Sequence, residues 1–156
     1  METATFAAGC FWGVEETFRK LKGVKSTAVG YTGGLIDWPT YERVCDGNTG
    51  HAEAVQIQFD PAVVSYEELL NIFWNSHNPT QLNRQGPDFG EQYRSAIFYH
   101  TPEQKELAAK SKQALEKSGK WKTSIVTQVV SASHFWKAEG YHQQYLKKRG
   151  LGNCHI

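Results

Sequence analysis

Thr3-Ala4-Thr5-Phe6-Ala7-Ala8-Gly9-Cys10-Phe11-Trp12-Gly13 decides how the chain is read. Thr3 to Ala8 has the β-branched and aromatic character of a short strand, and Gly9 ends it. Phe11, Val14, Phe18 and Leu21 then recur at helical spacing, which predicts a helix from about Cys10 to a stop at Gly23. Cys10 therefore stands at a helix mouth, where unpaired amides and the positive end of the helix dipole gather. Such a setting favours the thiolate, the reactive form of cysteine. Phe11 and Trp12 bring two large apolar rings beside the sulfur. A structural role, with Cys10 as a small buried residue and both rings packed inward, accounts for the position equally well.

Working outward, Val24 to Tyr31 reads as a second strand, ended by Gly33-Gly34 and followed by a glycine-rich loop to Gly50. Ala52 to Phe59 alternates: Glu53, Val55, Ile57 and Phe59 share one face, Gln56 and Gln58 the other. An acid thus points where apolar side chains point. A buried carboxyl resists ionisation, and one still protonated near neutral pH can donate to an oxygen. A Glu at a strand end, paired with a cation or facing water, is the alternative.

Ser65 and Glu68 form a capping box for a helix burying Leu69, Leu70, Phe73 and Trp74. An irregular polar stretch runs from Thr80 to Gln92, then a strand from Tyr93 to Tyr99. Thr101-Pro102 with Gln104 opens a helix that closes at Gly119. Ile125 to Val130 reads as a strand and Ala138 to Arg149 as a helix, with residues 150–156 a mobile tail carrying Cys154. This order predicts an α+β fold, a two-layer sandwich on a ferredoxin-like core with extra helices and long loops. Residues 1–156 read as a single catalytic domain, since no repeat or linker divides them.

The composition excludes several classes. A net charge of +1 gives no electrostatic reason to bind nucleic acid or anionic membrane. No run approaches membrane-spanning length, and no secretory signal opens the chain, so a cytoplasmic protein is expected. Three cysteines (Cys10, Cys45, Cys154) are too few for a disulfide scaffold. The 6 His residues lack metal-ligand spacing, and the glycine runs match no phosphate loop. No metal or cofactor is expected. Lys147-Lys148-Arg149 reads as a solvated helix end.

Together, GCFWG (9–13), GYTGG (30–34), Pro39-Thr40-Tyr41 before Val44, TGHAE (49–53), Asn83-Arg84-Gln85-Gly86 and Gln92-Tyr93-Arg94-Ser95 carry a resemblance. In that order they resemble the A class of peptide methionine sulfoxide reductases over nearly the whole chain. The resemblance implies Cys10 as nucleophile, Glu53 as acid, Tyr41 and Tyr93 as hydrogen-bond donors around the sulfoxide oxygen, and Asp88 as a further polar group. It implies Phe11 and Trp12 as the pocket for the methyl group. Read from the residues alone, Tyr41 and Tyr93 are ordinary tyrosines and Asp88 is a turn residue.

The resemblance further implies a resolving cysteine near the C-terminus, which is Cys154 here. Gly150 and Gly152 give its tail freedom to travel, while Cys45 remains an alternative resolver. The substrate implied is methionine sulfoxide, free or in proteins, the S epimer alone, with thioredoxin as reductant and a monomeric enzyme. Pro87 stands where asparagine is common and Glu91 where threonine is usual, which puts the hold on Asp88 in question. Two rivals use the same residues: a thiol peroxidase, which lacks an arginine near Cys10, and a module that grips methionine side chains without turnover.

Overall fold

Gly9, at φ 96°, turns the first strand, β1 (Glu2–Ala8), directly into the first helix, α1 (Phe11–Arg19), with Cys10 as its N-cap. The structure, a computed structural model, describes residues 1–47 and 49–148. After β2 (Val24–Thr32) comes a short helix, α2 (Tyr41–Cys45), then β3 (Ala52–Phe59) and α3 (Tyr66–Asn75). A small hairpin of β4 (Arg84–Gln85) and β5 (Asp88–Phe89) leads through a 3₁₀ turn (Glu91–Tyr93) into β6 (Ser95–Tyr99). Then follow α4 (Pro102–Ser118), β7 (Gln128–Ser131), β8 (Trp136–Lys137), a second 3₁₀ turn (Gly140–His142) and α5 (Tyr145–Lys148).

Six strands form one sheet in the order β7-β6-β1-β3-β2-β8, with the β6–β7 pair parallel and the other pairs antiparallel. The class is therefore mixed α/β. Strand alternation sorts the residues by face. Phe6, Val55, Ile57 and Phe59 enter the main core with Phe18 of α1 and Phe73 of α3. Phe6 stacks on Phe18 and on Phe73, each at 5.2 Å between ring centres. The opposite face holds a small cluster of Ala7, Ala52, Ala54, Ala96 and Phe98.

The predicted caps form. Ser65 accepts from the Glu68 amide at 3.1 Å, Thr101 accepts from Gln104, and Gly119 closes α4 at φ 74°. Elsewhere tertiary bonds override local pattern. α1 ends at Arg19, before Gly23, and α2 lies inside the expected loop, capped by the Thr40 hydroxyl. The stretch from Ile125 joins the sheet only at Gln128. Before that, the Val126 amide is held by the Pro79 carbonyl and Thr127 bonds the Ser95 hydroxyl, so it cannot pair as a strand. β6 likewise starts at Ser95, because Tyr93 is wound into the 3₁₀ turn.

The expected helix from Ala138 to Arg149 is not one helix. The Gln143 side chain bonds both the amide and the carbonyl of Val29 and also the Ala138 carbonyl. Gln144 sits at φ 51° and donates its amide to Glu15 at 2.6 Å. These bonds reach out to β2 and α1 and break the helical ladder. The expected tail at 150–156, with Cys154, lies outside the described residues.

Gly34 brings two of the sequence motifs together. Its amide donates to His51 Nδ1 at 3.0 Å, leaving Nε2 to donate to the Ile36 carbonyl at 2.6 Å. A Cβ on Gly34 would stand 2.4 Å from the His51 nitrogen and 2.5 Å from the Thr49 carbonyl oxygen, both backbone atoms. Gly34→Ala should therefore lose about 1–3 kcal/mol, the usual cost of an added methyl group in a packed interior. Urea unfolding of the variant beside the parent measures the loss, and an unchanged midpoint would contradict the close approach.

Candidate active site

Cys10 is half-buried at the start of α1, and its side chain does not cap the helix. One of the amides expected to face its sulfur, that of Phe11, reaches across to β3 and donates to Glu53 Oε1 at 3.2 Å. Glu53 shares its face with Val55, Ile57 and Phe59 as the alternation predicted, and is 1% exposed. Burial pushes its carboxyl up to about 8. The Phe11 amide pulls the other way, and the charge of Asp88 adds to the rise. Near neutral pH the acid keeps its proton. Oε1 is anchored, while Oε2 is buried with no hydrogen-bond partner among the described residues. A protonated oxygen so placed is equipped to hand hydrogen to a bound oxygen.

Tyr41 opens α2, and its ring packs 6.4 Å from Phe11 and 6.5 Å from Trp12. Burial raises its hydroxyl above the ordinary tyrosine range, as do the charges of Glu53, Cys45 and Tyr93 and a hydrogen bond with the Cys45 thiol. Tyr93, half-buried in the 3₁₀ turn, is raised by burial and then by Glu53, Cys45, Asp88 and Cys10. Both phenols thus remain hydrogen-bond donors. The interactions also place Cys10, Tyr41, Cys45, Glu53, Asp88 and Tyr93 within one electrostatic neighbourhood. Burial raises the Cys45 thiol, against the hydrogen bond from Tyr41.

Pro87 does not displace Asp88 from this neighbourhood. Gln85 pairs with Asp88 across a two-residue turn whose first residue, Gly86, has φ 58°. Glycine suits that first position, and the second needs a negative φ that proline already has.

Sequence reasoning missed the residues that close the site from the C-terminal side. His142 is fully buried; its Nδ1 accepts from Trp12 Nε1 at 2.9 Å, and its ring lies 5.1 Å from Phe11 and 4.4 Å from Tyr41. Burial lowers its pKa against the pull of Glu139, so it stays neutral near pH 7. Tyr145 stacks on Trp12 at 3.8 Å. Glu139 accepts from the Tyr31 hydroxyl at 2.8 Å and the Tyr41 amide at 3.1 Å, tying α2 to the sheet. Burial works against the Glu139 carboxylate, yet these bonds and its own amide hold it below the usual value. The sequence signal was the aromatic density of the adjacent Tyr141 and His142, followed by Tyr145 four and three residues later. Among the described residues no three His, Cys, Asp or Glu side chains are grouped to hold a metal ion.

A family model described as Peptide methionine sulfoxide reductase matches residues 2–156. The Peptide methionine sulfoxide reductase MsrA of Methanosarcina acetivorans is 62% identical over 151 residues, 97% of this chain and 80% of that relative. Mxr1 from Saccharomyces cerevisiae in reduced form superposes with a TM-score of 0.92 at 37% identity, covering 99% of this chain and 91% of that one. Mxr1 in complex with Trx2 matches with a TM-score of 0.64 at 26% identity, covering 92% and 84%.

The raised Glu53 carboxyl has a consequence for stability. The unfolded chain loses this proton near 4.5, the folded chain near 8. Between those values the folded state holds more protons, so the contribution of Glu53 falls as pH rises and levels off above 8. Glu53→Gln removes the dependence. Relative to the parent, the variant should gain about 1–3 kcal/mol between about pH 5 and pH 8, read from urea unfolding at both values. A difference that stays constant with pH would mean the carboxyl is already ionised.

Proposed function

The chain belongs to the peptide methionine sulfoxide reductase family, and from that membership we propose that Cys10 and Glu53 are its reacting pair. As a member it is an oxidoreductase that reduces methionine sulfoxide. The observation that carries the assignment is the Phe11 amide bonded to a buried, protonated Glu53, because it sets the acid beside the residue next to Cys10.

The Cys10 thiolate attacks the sulfoxide sulfur while Glu53 delivers a proton to the oxygen. Tyr41 and Tyr93 donate hydrogen bonds to that oxygen as negative charge develops, the work of an oxyanion site. Asp88 supports the acid by keeping Glu53 protonated. Phe11 and Trp12, backed by His142 and Tyr145, receive the methyl group. The oxygen ends on the Cys10 sulfur as a sulfenic acid and methionine leaves as the sulfide. A second thiol then condenses with the sulfenic acid, releasing water and leaving a disulfide.

Cys154 is our choice for that thiol. It lies outside the described residues, but it follows Lys148 by six positions, which spans at most about 20 Å of extended chain. Tyr145, three residues before Lys148, already rests on Trp12. Cys45 is the alternative. Thiol exchange with thioredoxin returns the disulfide to thiols, a reading supported by the structure of Mxr1 with Trx2. A cytoplasmic monomer without a cofactor completes the proposal, since a thiol cycle of this kind suits a reducing compartment. A family match from residue 2 to 156 supports one catalytic domain. We also infer a two-layer, ferredoxin-like core from the order β1-α1-β2-β3-α3-β6 and the spatial order β6-β1-β3-β2.

The test is to supply separated methionine sulfoxide epimers with a small dithiol and follow methionine. The S epimer alone should be reduced, Cys10→Ser should give none, and Glu53→Gln should bind substrate but slow a single turnover by about 10²–10⁴-fold. Binding without product would favour a methionine-gripping module; reduction of both epimers, or an unchanged Glu53→Gln rate, would overturn the mechanism. With thioredoxin as reductant, Cys154→Ser should yield one equivalent of methionine and then stall. Sustained cycling would pass the resolving role to Cys45.

A further inference from the structure

Trp38 is 80% exposed and sits at φ 53°, a conformation that large side chains rarely adopt. Its ring meets Trp136 at 4.8 Å and 59°, and Trp136 in turn lies 4.1 Å from His134. With Pro39, Phe135 and Lys137 these residues line a shallow cavity of about 350 Å³. The catalytic chemistry proposed above makes no use of it.

The cavity lies beside the site, two strands from Glu53. Trp136 stands opposite Tyr31, and Tyr31 opposite Glu53, on adjacent strands. Residues directly opposite one another share a face of the sheet, so Trp136, Tyr31 and Glu53 form a row. On the other wall, Pro39 and Thr40 alone separate Trp38 from Tyr41. Two strand spacings set β8 about 10 Å from β3, a distance that extended polypeptide covers in about three residues.

We propose that the Trp38–Trp136 groove is a subsite for an apolar or aromatic side chain about three residues from the oxidised methionine, in an extended, unfolded stretch of a protein substrate. The inference rests on the reading of Cys10 and Glu53 as the reducing site. It makes the preferred substrate a methionine sulfoxide with an apolar neighbour at that distance. An occupant ring would cover the exposed Trp38 indole and the outer part of the half-buried Trp136. Lys137 and His134 at the rim can donate to the carbonyls of an extended chain.

The probes are the S sulfoxide of N-acetylmethionine amide and two sets of short peptides. In each set a single S sulfoxide has Phe or Gly three residues away, on either side. Trp38→Asn removes the indole while keeping a residue that tolerates positive φ. The parent should favour a Phe peptide over its Gly counterpart by about fivefold in kcat/KM, through KM, the scale of one aromatic contact. Trp38→Asn should erase the preference and reduce the small amide at the parent's rate. Equal use of Phe and Gly peptides by the parent, or an equal loss on all substrates in Trp38→Asn, would overturn the subsite. The same peptides titrated against tryptophan fluorescence keep the two readings apart. Selective binding of Phe peptides without reduction of the small amide would sink the catalytic assignment and leave the groove, whereas reduction without selectivity would do the reverse.

Discussion

A hydrogen bond from the Phe11 amide to Glu53 Oε1 joins the mouth of α1 to an acid on β3, and the rest of the site follows from it. The first turn of a helix must find partners for its amides, and a carboxyl supplied by the sheet meets that need. The same bond seats α1 on the apolar face of β3, where Phe18 can reach Phe6. It also holds one oxygen of Glu53 in place while burial keeps the carboxyl protonated. Helix position, core packing and acid strength are thus one arrangement. Losing the carboxyl affects all three.

Burial also explains why so many ionisable groups can crowd together. Glu53, Tyr41 and Tyr93 are all held toward their protonated forms by desolvation first; the charge of Asp88 adds to the rise of Glu53, and for the two tyrosines an ionised Glu53 would add to theirs. Each therefore faces the others as a neutral donor rather than as a repelling anion. Glu139 is the exception, kept ionised by donors from Tyr31 and Tyr41, and it acts on the backbone of α2.

Much of this was legible in the chain because it depends on local pattern. Strand alternation put Glu53 on the buried face, a glycine between strand and helix put Cys10 at the helix mouth, and Ser65 and Thr101 marked true helix starts. What stayed hidden depends on contacts distant in sequence. Nothing near Gln143 announces that its amide will bond Val29, 114 positions away, nor that Gln144 will leave the helical region to reach Glu15. His142 was read as one more residue of a helix because its partner, Trp12, is 130 positions distant. Family resemblance pointed to the tyrosines and Asp88, whose own neighbourhoods are unremarkable as sequence.

The bonds of Gln143 to Val29 have a meaning for solubility as well as for shape. β8 covers β2 only at Gly30 and Tyr31. At Val29 the carboxamide of Gln143 takes over, accepting from the amide and donating to the carbonyl as a neighbouring strand would. A bare strand end is a template for sticking to another chain. One glutamine side chain, posing as a strand beside the Ala138 amide, occupies the outward-facing groups of Val29 that another chain could otherwise pair with.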